Sequence, residues 1–187
     1  MPDRDVRTIE DQIFYQYAKI IARSAFAAGD GKEAKARHYG FIKQTFRDLR
    51  SGAKSWSEIT REDWQFVQSE EKCIYCGAEA ALAKEHIVPR SIRINERCPS
   101  CDKVQGIHNQ IWACKACNSV KGSRGLYSFY KLKYKGEKKF YDLIPPLVEK
   151  KYLKTIYNCH NCSGTLGKGD LDGDGEITVL DIDFVMG

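Results

Sequence analysis

Residues 84–122 open with Lys84-Glu85-His86-Ile87-Val88-Pro89-Arg90 and close with His108-Asn109-Gln110-Ile111-Trp112-Ala113-Cys114-Lys115-Ala116-Cys117-Asn118-Ser119-Val120-Lys121-Gly122. Leu82, Lys84, His86 and Val88 alternate with Ala83, Glu85 and Ile87, the period-two pattern of a β-strand. Ile111-Trp112-Ala113 supplies a second strand, and the stretch from Lys115 reads as a helix carrying Asn118 and Lys121 three residues apart, on one face. On an ideal strand Glu85 and His86 point to opposite faces. Both reach one site only if the strand bends or ends there, and Pro89 provides a reason for it to end. The chemistry of these residues is compatible with a reaction. A neutral imidazole accepts a proton from water near neutral pH. A carboxylate and an amide oxygen are hard ligands suited to magnesium or manganese. Lys121 and Arg124, with Arg90, offer positive charge for a phosphate.

At these residues the sequence resembles the HNH endonucleases, which share the ββα-metal fold. The resemblance implies that His86 is the first His of the motif and the general base, Asn109 the middle Asn, and Asn118 the final metal-binding position. Glu85 stands where Asp is commoner and would join Asn118 on the catalytic ion, magnesium or manganese. Lys121 and Arg124 would neutralise phosphate oxygens. The resemblance covers Cys73 to Arg124, and the segment between His86 and Asn109 is lengthened by an inserted Cys98-Pro99-Ser100-Cys101. It implies hydrolysis of DNA phosphodiester bonds, with RNA left open as a substrate, and a 5′-phosphate product.

All eight cysteines fall in Cys-x-x-Cys pairs: Cys73/Cys76, Cys98/Cys101, Cys114/Cys117 and Cys159/Cys162. That spacing presents two thiolates to one zinc, and disulfide frameworks rarely use it alone. Four pairs make two closed, structural zinc sites in three ways. The family resemblance joins Cys73/Cys76 to Cys114/Cys117 and leaves Cys98/Cys101 with Cys159/Cys162. The twelve-residue gap between Cys101 and Cys114 equally suits a zinc ribbon built from the middle two pairs.

Residues 7–28 read as an amphipathic helix with Ile9, Ile13, Tyr17, Ile20 and Ile21 on one face. A second helix runs from Lys32 to Arg50, and Thr60 with Asp63 resembles a capping box opening a third. Residues 125–135 interleave aromatics with lysines, either a base-stacking surface or a core helix with a lysine-bearing outer face. Pro145-Pro146 starts a helix from Leu147 to about Tyr157 that ends at the Cys159/Cys162 pair. His38, His108 and His160 read as structural.

In the tail, Asp170, Asp172, Asp174 and Asp181 occupy positions 1, 3, 5 and 12 of an EF-hand-like calcium loop, with Gly175 at position 6 and Glu176 offering its carbonyl. This segment resembles one repeat of a dockerin, which implies a cohesin-like partner; a dockerin carries two repeats and one is visible here. Residues 163–187 hold six acidic groups against one lysine, so the formal charge of +5 leaves +10 on residues 1–162. A body that basic favours a polyanionic partner. No apolar run approaches the roughly 20 residues that span a bilayer, and no signal-peptide core follows the start; the expectation is a cytoplasmic protein without membrane contact.

The sequence therefore predicts an α+β protein: a helical lobe over residues 1–70, a zinc-stabilised ββα-metal (HNH) core over 71–162, and an acidic calcium-loop tail over 163–187. The expected function is a DNA endonuclease using one magnesium-class ion. The rival is a non-catalytic zinc-ribbon protein that binds nucleic acid, and a third reading is an adaptor recruited through the calcium loop.

Overall fold

The computed structural model describes residues 4–26, 31–56, 59–91 and 104–184. The fold is α+β, with helices α1 (Ile9–Ala25), α2 (Lys32–Arg50), α3 (Ile59–Gln68), α4 (Lys115–Lys121), α5 (Leu126–Lys133) and α6 (Pro146–Ser163), and strands β1 (Leu82–His86) and β2 (Gln110–Cys114). The strands form an antiparallel pair in which Leu82 faces Cys114, Glu85 faces Ile111 and His86 faces Gln110. Chain order across the hairpin is β1, β2, α4, so the second strand runs directly into a helix.

α1 begins where the Thr8 hydroxyl accepts from the Asp11 N–H at 3.1 Å, filling one of the donors that a helix start leaves open. Two more are met from the far end of the chain: the Ile9 and Glu10 N–H groups donate to the carbonyls of Lys168 and Leu166. Ile9, Ile13, Tyr17 and Ile20 are buried, and so are Asp11, Gln12 and Gln16. An amphipathic stripe predicts a polar outer face, but α2 and α6 both pack on α1 and cover more of it. α2 buries Ile42, Phe46 and Leu49, while its first half stands exposed.

Two element boundaries differ from expectation. Thr60 lies inside α3 rather than at its cap, and Asp63 spends its carboxylate on Lys151 of α6 at 2.9 Å. α6 does not stop near Tyr157. It continues to Ser163 and ends at Gly164, whose φ of 72° is the left-handed conformation that closes many helices. Cys159 and Cys162 therefore sit on a helix, the first buried and the second exposed, and not on a turn.

α5 decides the aromatic–lysine stretch in favour of the core: Leu126, Tyr127, Phe129 and Tyr130 are all buried. α6 packs against α1 and against α3, and α5 reaches the tail's last 3-10 turn, Asp181–Asp183. Buried apolar residues from Val6 through Val88 to Ile182 form one cluster. Asp183 accepts from the Tyr127 and Ser128 N–H groups and from the Tyr152 hydroxyl. Gly125 is required beside it, because a Cβ there would overlap the Asp183 carboxyl. His160 joins the same seam, with Nε2 2.9 Å from the Ile182 carbonyl and Nδ1 2.7 Å from the Thr165 hydroxyl.

Candidate active site and metal centre

The hairpin is held at its base by four cysteines. Cys73 and Cys76 come from the turn before β1, Cys114 ends β2, and Cys117 lies in α4. The turn is tight: the Cys76 and Gly77 N–H groups both donate to the Cys73 carbonyl, and Gly77 takes a φ of 78°. A further bond, Ile74 N–H to the Trp112 carbonyl at 3.0 Å, docks the turn on β2. The four sulfurs lie within 4.8 Å of one another, and Cys76 Sγ is 3.7 Å from Cys114 Sγ. Thiolates about 2.3 Å from a tetrahedral zinc lie roughly 3.8 Å apart, so this group is positioned to bind a metal ion. The Cys117 N–H pulls the Cys114 thiol down to about 7, while burial pushes that of Cys117 up.

Of the candidate pairings, the structure brings Cys73/Cys76 to Cys114/Cys117. Cys98 and Cys101 lie outside the described residues. Cys159 and Cys162 belong to no metal-sized group among the described residues.

At the other end of β1 the chain turns away from the sheet. Ile87 N–H still bonds the Asn109 carbonyl at 2.9 Å. Asn109 is fully buried, its Oδ1 accepting from Val88 N–H at 2.8 Å and its Nδ2 donating to the carbonyls of Val88 and Val104. One amide side chain thus clamps three backbone groups of two segments, which fixes where β1 ends. Beyond this clamp opens a cleft of about 260 Å³ lined by Glu85, His86, Arg90, Asn118 and Ser123, among others.

Within it, Glu85 is buried and its Oε1 lies 2.8 Å from Lys121 Nζ, with side-chain exposures of 4% and 1%. The amine also donates to the His86 carbonyl at 3.2 Å. Lys121 is therefore turned inward, onto Glu85, and its charge does not stand open to a phosphate. The Tyr75 hydroxyl and the Lys121 amine both face the buried Glu85 carboxylate, at angles short of a well-directed hydrogen bond. Burial pushes the Glu85 carboxyl above its ordinary range, with the Lys121 charge opposing. Burial lowers the His86 imidazole, helped by the charges of Arg90 and Lys121, so its neutral form is favoured. Arg124 lies outside the cleft and caps α4, Nη1 donating to the Val120 carbonyl at 2.9 Å.

The sequence singled out His86, Glu85 and Asn118, and the fold places them on one cleft. It did not single out Ser123 or Tyr75, which carry no pattern of their own. Nor does spacing reveal that Lys121 reaches Glu85.

In the tail, carboxylate oxygens of Asp170, Asp172 and Asp174 lie within 4.8 Å of one another. Asp170 accepts from the Gly173, Asp174 and Gly175 N–H groups, folding the loop around it. Asp181 stands apart from this group: buried, it accepts from the Leu171, Asp172 and Thr178 N–H groups. Glu176 is exposed, and its N–H donates to Asp174 Oδ1 at 2.8 Å. No described helix is long and apolar enough to cross a membrane.

Comparison with models of protein families, with curated proteins and with solved structures returned no match.

Proposed function

We propose that this chain is a metal-dependent endonuclease of the HNH kind, hydrolysing phosphodiester bonds in DNA. One observation carries the reading: a favoured-neutral histidine, a carboxylate and an amide meet on a cleft at the end of a cysteine-braced β-hairpin whose second strand enters a helix. Glu85 and Asn118 fit a divalent cation by the chemistry of their donors, because a carboxylate and an amide both offer hard oxygens and both residues line the cleft. Those two would hold a magnesium-class ion, which when bound supplies positive charge at the scissile phosphate.

The remaining steps fall to the protein. His86 takes a proton from water, the water oxygen bonds to phosphorus, and the bond to the 3′ oxygen breaks with that oxygen taking up a proton from solvent. Arg90, exposed at the rim of the cleft, meets a non-bridging phosphate oxygen. Lys121 keeps the buried Glu85 charge compensated, and Asn109 holds the strand end from which His86 projects. Zinc on Cys73, Cys76, Cys114 and Cys117 braces the hairpin and leaves no open position for chemistry. The acidic loop would hold calcium on Asp170, Asp172 and Asp174, and Asp170→Ala/Asp174→Ala should abolish the calcium uptake that titration calorimetry reads.

A second reading has one observation behind it. Lys121 already satisfies the charge of Glu85, as a zinc-braced module that only binds nucleic acid would arrange it. Incubating plasmid and single-stranded RNA separately with the protein and magnesium separates the two: cleavage supports the nuclease, and binding without cleavage supports the module.

A further inference from the structure

A second cleft, of about 370 Å³, opens between α1, α5, the 3-10 turn Phe140–Leu143 and the acidic tail loop. It shares no lining residue with the cleft of His86. Its size falls within the range of small-molecule sites, which pair apolar walls with a few polar groups. The walls are built. Lys19 Nζ stands over the rings of Tyr15 at 4.7 Å and Tyr141 at 5.2 Å, holding both aromatics in place. Val179 and Leu180 close the side made by the tail.

Two features mark the cleft as a site rather than a packing gap. Lys131 and Lys138 are exposed at its rim and pair with no carboxylate among the described residues. Asp174 is the one acid among the described residues of the lining, so cations outnumber anions there. Gln12, only 4% exposed, belongs to the inner wall.

We infer that this cleft binds a small organic anion with a flat apolar body, of the size and chemistry of a nucleoside monophosphate. The anionic end meets Lys131 and Lys138, and the ring system lies against the Tyr141 and Leu180 side. Bare phosphate satisfies only the rim, and an uncharged nucleoside only the walls, so the site discriminates for a molecule carrying both.

The test is titration calorimetry of the full chain with adenosine 5′-monophosphate, adenosine and inorganic phosphate, in buffer without added magnesium. The expected result is an affinity for the monophosphate tighter than about 1 mM, with the two fragments each at least about tenfold weaker. Lys131→Glu/Lys138→Glu should weaken the monophosphate by about tenfold or more at an unchanged melting temperature; if that variant fails to fold, Lys138→Ala should still weaken it measurably. Absence of monophosphate binding overturns the inference. So does binding that neither lysine variant weakens, which would place the molecule elsewhere, and so does phosphate binding as tightly as the monophosphate.

Discussion

Lys121→Met removes one partner of a pair that solvent does not reach. The two side chains are 1% and 4% exposed and their charged atoms 2.8 Å apart, so the exposed-pair value of 0–1 kcal/mol does not apply. Leaving a buried charge uncompensated costs about 3–5 kcal/mol, and the bond from Lys121 Nζ to the His86 carbonyl is lost as well. Set against a typical total of about 5–15 kcal/mol, the variant should be folded but severely weakened. Guanidinium unfolding of the zinc-loaded protein measures this as a fall in midpoint at constant slope. Replacing both partners, Glu85→Leu/Lys121→Met, should recover most of the loss, because the stranded charge is gone; the double-mutant cycle then gives the coupling directly. A Lys121→Met cost below about 1 kcal/mol would refute the buried pair.

Other consequences are open to measurement. Burial raises the Glu149 carboxyl to about 7 despite Arg23 and Tyr127 beside it. Between the ordinary carboxylate range and about 7 the folded chain thus binds more protons than the unfolded one, and this group makes stability fall as pH rises through that window; Glu149→Gln should flatten the slope in melts taken across it. Cys73→Ser should lose zinc by elemental analysis and unfold the hairpin, since structural zinc binding is folding free energy, and unchanged zinc content would dismiss the site. Asp183→Ala strands the Tyr127 and Ser128 N–H groups and should cost at least about 1–3 kcal/mol in chemical denaturation, whereas an unchanged midpoint would mean that this carboxylate does not fasten the tail to α5.

What could be read in advance was local. The alternation from Leu82, the Cys-x-x-Cys turns and the helix after Cys114 are patterns of neighbours, and they gave the β-hairpin and α4. The end of α6 was misjudged because two cysteines three apart suit a helix face as well as a zinc turn. Burial of Thr155, Ile156, Cys159 and His160 and the Gly164 cap decide for the helix. The pairing of Glu85 with Lys121 depends on strand register and helix direction together, and no spacing rule contains both. The same holds for Asp183, which lies just beyond the expected calcium loop and bonds to residues more than fifty positions away in α5. Overlapping patterns hid the polarity of α1, whose charged and amide residues Asp11, Gln12 and Gln16 are buried by partners from elsewhere in the chain.

The most direct test of the proposed chemistry compares wild-type protein with His86→Ala on plasmid DNA in magnesium, with binding followed in parallel by gel shift. His86 projects from a strand end that Asn109 holds independently, so its loss should leave the fold and DNA binding in place. Cleavage by the wild type, reduced at least about 100-fold in the variant at equal binding, is the predicted result. Equal cleavage by both proteins, or a wild type that binds and never cuts with any divalent metal, would contradict it.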